Sequence, residues 1–101
     1  MHKIYDKTSS NIYQNHKDLI DSFMEYSFKR LNYSKPVTIY FVSDLENANN
    51  PLGKSAYYDH GKHVIVLFTD NRHFKDILRS LSHELIHHGQ ACRGEFDDNT
   101  E

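Results

Sequence analysis

Between Arg72 and Cys92 the apolar residues recur at helical spacing, which commits about a fifth of the chain to one amphipathic helix. With His83 set at zero and roughly 100° added per residue, Phe74, Ile77, Leu78, Leu81, Leu85 and Cys92 fall between about 120° and 220°. A stripe of that width has to lie against another layer of structure. Inside the same helix stands His83-Glu84-Leu85-Ile86-His87, an H-E-x-x-H match. His87 falls near about 40° and Glu84 near about 100°, so the two histidines lie away from the apolar stripe. Asp70 or Asn71 is the expected cap before the helix, and Gly94 ends it.

Upstream, residues 1–10 are polar and read as a loose arm or first turn. Asn11 is a plausible cap for a first helix in which Ile12, His16, Leu19, Ile20, Phe23, Tyr26 (or Ser27) and Leu31 recur at helical spacing. Lys29 and Arg30 suit its C-terminal dipole, and Ser34-Lys35-Pro36 stops it. Val37–Val42 is a strand by its β-branched and aromatic content. Ser43 to Lys54, rich in Asn and Asp, reads as a loop. Ser55–Asp59 and His63–Phe68 flank His60-Gly61-Lys62, a hairpin signal, and the unbroken run Val64–Phe68 predicts a central strand covered on both faces. The expected fold is α+β: an N-terminal helix, a small sheet of about three strands with a hairpin, and the long C-terminal helix.

A chain of 101 residues favours one domain, here taken as 1–101, and 38% hydrophobic residues leave it a small core. The lysines and arginines are scattered and the formal net charge is −2, so the linear sequence carries no nucleic-acid signature. Cys92 is the single cysteine, which precludes an internal disulfide and fits a reducing compartment. The N-terminus lacks the apolar run of a signal peptide, and no stretch has the length of a membrane span. These features predict a cytoplasmic protein with no membrane partner.

Positions i and i+4 of a helix stand one turn apart on one face, so His83 and His87 can share one Zn²⁺ while Glu84 reaches a metal-bound water as general base. The competing explanation is a chance match with surface histidines, since eight His and five Glu produce such a pattern in roughly three shuffled chains per hundred. The position of the motif away from the apolar stripe favours the metal. His88 is turned about 100° from His87 and reads as a rim or partly buried residue, and Cys92 as a small buried hydrophobe. Gly89 marks either a close backbone approach or an early helix end. His2, His16, His60, His63 and His73 read as exposed or structural, with His60 in the hairpin turn the one to watch.

The run Asp76 to Gln90, followed by Arg93-Gly94-Glu95, resembles the active-site helix of zincin metallopeptidases. It is most similar to the small SprT-like and phage-encoded members of that class. The resemblance implies Zn²⁺ held by His83 and His87, Glu84 as catalytic base in peptide-bond hydrolysis, and a peptide or protein substrate. It also implies an intracellular setting, for a phage-encoded protein the host cytoplasm. Two departures stand out: Gln90 and Arg93 occupy positions where the metzincin extension has Gly and His or Asp, and no His follows His88. A third ligand would therefore come from Glu95, placed first, or from Asp97, Asp98 or Glu101. Longer relatives carry more chain after the Arg-Gly-Glu step, which implies a domain truncated there. The alternative is a zinc-binding or protein-interaction domain on the same scaffold without turnover. For the peptidase, the strand with Ala56, Tyr57 and Tyr58 is the candidate to pair with substrate, and a tyrosine or His60 to stabilise the oxyanion.

Overall fold

The computed structural model describes residues 2–31, 35–50 and 53–94. Its strands are β1 (His2–Lys7), β2 (Val37–Val42), β3 (Ala56–Asp59) and β4 (Val64–Phe68), and its helices α1 (Ile12–Asn15), α2 (Lys17–Leu31), α3 (Leu45–Asn49) and α4 (Phe74–Cys92). The class is α+β, with one mixed sheet in the order β1-β2-β4-β3. β1, β2 and β4 run parallel, while β3 pairs antiparallel with β4 at the edge.

β1 corrects the expectation of a loose arm. Ile4 is its one aliphatic residue and packs against the core, while Lys3, Tyr5 and Lys7 alternate outward. A strand so polar is hard to see in a sequence, yet charge suits an edge, where it discourages pairing with other chains. The Asp6 carboxylate accepts from the Thr8 amide at 2.8 Å and the Tyr13 amide at 2.9 Å, joining β1 to the start of α1. Asn11, expected as a cap, instead takes a left-handed conformation (φ 53°) with no side-chain cap, and the helix breaks at His16 into α1 and α2. α3 is a single turn inside the expected loop, capped by Asp44, whose side chain accepts from the Asn47 amide at 3.0 Å.

The core lies on one side of the sheet. Val37, Ile39, Phe41, Ile65 and Leu67 meet Ile20 and Met24 of α2 and Ile77, Leu81 and Leu85 of α4, all fully buried or nearly so. Burial alternates along β2 and β4, as one covered face requires, so Val64, Val66 and Phe68 are only half-buried. This overturns the expectation that β4 is covered on both faces: the apolar run holds two faces, and only one faces the helices. The N-cap of α4 is also not Asp70 or Asn71. His73 caps it, its Nδ1 accepting from the Lys75 amide at 3.1 Å. Asp70 is engaged by the Ser43 hydroxyl at 2.8 Å instead, which joins the C-terminal ends of β2 and β4. Among the described residues no helix is long and apolar enough to cross a membrane.

Candidate metal centre

α4 turns its apolar stripe onto β3, β4 and α2, which leaves His83 exposed and His87 half-buried on the other side. The two Nε2 atoms face one another at 3.1 Å. Two imidazole nitrogens bound at ordinary Zn–N distances to one tetrahedral ion stand about 3.3 Å apart, so the pair is set close to the spacing zinc requires. The rings are almost perpendicular, with centroids 4.7 Å apart, so the nitrogens converge without the rings stacking.

Gln90 fixes the direction of one of them. His87 Nδ1 lies 3.1 Å from Gln90 Oε1, and since a carbonyl oxygen only accepts, Nδ1 carries the proton. That leaves the His87 Nε2 lone pair directed at the space shared with His83, the arrangement in which a second contact orients a metal ligand. The sequence comparison treated Gln90 only as a departure from an extended motif. Its signal was the i,i+3 spacing from His87, which places the two side chains on one face. Gln90→Ala is expected to weaken zinc binding by about tenfold while leaving the stoichiometry unchanged, measured against a competing chelator. Unchanged affinity would remove Gln90 from the site.

Glu84 is the most unusual residue nearby. It is only 8% exposed, and no hydrogen bond or ion pair to its side chain is present among the described residues. Its helical position lies between the histidine pair and the apolar stripe.

His88 corrects another expectation. At about 140° on the helical wheel it falls inside the arc of the apolar stripe, and it is fully buried rather than at the rim. Its Nε2 donates to the Lys35 carbonyl at 2.8 Å, which leaves Nδ1 to accept from the Tyr58 hydroxyl at 2.8 Å. Tyr58 Oη in turn accepts from His63 Nδ1 at 3.1 Å. This chain ties α4 to β3, to the start of β4 and to the segment before β2. Burial lowers the His88 pKa; the Lys35 carbonyl opposes that, and His63 and Lys35 reinforce it. Burial raises the Tyr58 pKa, with Cys92 and Asp59 adding to it, so the phenol stays a donor. Because its hydroxyl is committed to His88, Tyr58 is not free to donate to a developing oxyanion.

The remaining histidines outside the motif are structural where their contacts are defined. His16 stacks on Phe74 with centroids 3.8 Å apart, His73 caps α4, and His63 belongs to the Tyr58 chain. Cys92 packs against the core, its Sγ 3.5 Å from His88 Nε2, and no metal-ligating role falls to it. Gly89 is buried where α4 meets the end of α2: a Cβ there would stand 3.9 Å from Leu31 Cβ and 3.2 Å from Arg93 Nη1. Of the expected site residues, the fold brings the His83 and His87 rings together, and Glu84 follows His83 on the same helix; Glu95, Asp97, Asp98 and Glu101 lie outside the described residues. Among the described residues no group of three metal-ligating side chains is found.

No family model, no curated protein and no solved structure matches this chain.

Proposed function

We propose that this chain is a zinc-dependent peptidase in which His83 and His87 hold the metal and Glu84 is the general base. The observation that carries the proposal is the pair of converging Nε2 atoms, 3.1 Å apart, on a helix that also carries Glu84, buried and without a hydrogen-bond or ion-pair partner among the described residues. The two donors present suit zinc, which takes a third protein ligand besides: neutral imidazole nitrogens bind it, and the Gln90 contact holds His87 in the tautomer that does so. When bound, zinc would polarise a carbonyl and acidify a water. Glu84 accepts the proton of the attacking water as the carbon–oxygen bond forms. It then returns that proton to the departing nitrogen as the carbon–nitrogen bond breaks.

The substrate class follows from the neighbouring strand. β3 lies at the sheet edge and packs beside α4, and its outer backbone groups face away from β4. An extended peptide can pair with such an edge through main-chain hydrogen bonds, independently of its side chains. The proposal thus favours unfolded or extended polypeptides over compact ones. Zinc-loaded protein is expected to cleave an unstructured protein such as casein, and the chelated protein is not. Cleavage that survives complete chelation, or none by the zinc-loaded chain against a broad set of unfolded proteins, would contradict the proposal.

A further inference from the structure

Strand register puts side chains together on the uncovered face of the sheet that the sequence keeps far apart. Pairing of Tyr5 with Tyr40, Tyr40 with Val66, and Val66 with Tyr57 gives one row across all four strands, three of its four members tyrosines. The next row holds Lys7, Val42 and Phe68, and the row on the other side Lys3, Thr38, Val64 and Asp59. Tyr5 and Tyr40 stack with centroids 5.2 Å apart, and Tyr57 lies 6.2 Å from Phe68. Tyr5 and Tyr57, at the two edges, are 43% and 41% exposed. Between Tyr40 and Tyr57 runs an open groove of about 520 Å³, floored by Val64, Val66 and Phe68.

The charge on this face is of nearly one sign. Lys3 and Lys7 project from β1, Lys54 lies over the Tyr57 ring with Nζ 5.5 Å from its centroid, and Lys62 lines the groove. A second hollow is flanked by both Lys3 and Lys62. Against these four lysines stands Asp59 alone among the residues of the rows and groove. The chain as a whole carries a formal charge of −2, so this face is positive on a protein that is negative overall. Two copies meeting here would oppose lysine to lysine, which argues against self-association. An anionic partner with flat apolar groups satisfies both the rings and the charges.

We propose that the open face binds single-stranded nucleic acid, with bases stacked along the tyrosine row and phosphates met by Lys3, Lys7, Lys54 and Lys62. Aromatic rings accept any base, and flanking cations follow the backbone, so binding is tolerant of sequence. The row spans three interstrand spacings, about 14 Å, which is room for two or three bases. Duplexes, whose bases are stacked already, are expected to bind far more weakly. The proposal is independent of the metal centre, which lies on the helical side of the sheet.

The test is fluorescence anisotropy with labelled oligothymidylate and oligouridylate of roughly 12 nucleotides, beside a duplex of equal length, at about 50 mM salt. Single strands are expected to bind at micromolar concentration, with log K falling against log salt at a slope of about −3 for four phosphate contacts. The two probes differ in the 2′-hydroxyl and in the thymine methyl, so oligodeoxyuridylate, which lacks both, assigns any gap between them to the sugar or the base. Tyr5→Ala/Tyr40→Ala is expected to lose about tenfold in affinity or more. Lys3→Glu/Lys62→Glu, at surface positions that leave the core intact, is expected to lose measurable binding while keeping zinc stoichiometry. Full affinity in the lysine variant, no binding of either single strand, or binding confined to anionic vesicles would overturn the proposal.

Discussion

Glu84→Gln is expected to keep zinc affinity within a few-fold of wild type while hydrolysis of an unfolded protein falls by about 10²–10⁴. Gln preserves the shape of the side chain but cannot take a proton from water, and Glu84 is not one of the proposed ligands. Retained zinc and unchanged helical circular dichroism would separate the loss of a base from damage to the fold. Equal turnover by wild type and Glu84→Gln would rule out Glu84 as the base.

The parts of this fold that can be read in the sequence are those with strong periodicity. α4 has a stripe of apolar residues at helical spacing, β2 is β-branched and aromatic throughout, and β3 and β4 flank a turn containing Gly61. The segments that mislead are those where tertiary contacts override a weak local pattern. β1 offers one aliphatic residue, Ile4, and becomes a strand because β2 supplies a partner along all six positions. The break between α1 and α2 arises where His16 leaves helical geometry and stacks on Phe74, a contact made across the fold. An apolar run such as Val64–Phe68 has no polar alternation to reveal that one of its faces stays open.

The site was legible in its spacing and illegible in its surroundings. His83, Glu84 and His87 follow from a motif on a helix, and the convergence of the two histidines follows from helical geometry alone. The offset of His88 from His87 suggests a rim or partly buried residue, although its own wheel angle lies within the apolar arc; a fully buried His needs partners, and Tyr58 and the Lys35 carbonyl come from other parts of the chain. The four lysines of the open face are spread from position 3 to position 62: strand register sets Lys3 and Lys7 beside the tyrosine row, Lys62 reaches the groove from the turn before β4, and Lys54 lies over Tyr57.

The central claim is that His83 and His87 hold one metal ion, and the zinc content of purified protein after loading and removal of excess metal tests it most directly. The His87 Nε2 lone pair is already directed at the shared space, so binding costs little reorganisation, and each imidazole removed takes away a ligand that water replaces poorly. Wild type is expected to retain about one zinc per chain, and His83→Ala/His87→Ala essentially none, with the helical circular dichroism of the two proteins alike. Both substitutions lie on the face of α4 away from the apolar stripe, so the fold survives them and loss of metal reports on the site itself. Zinc retained at full stoichiometry in the double variant would place the metal elsewhere and make the motif incidental.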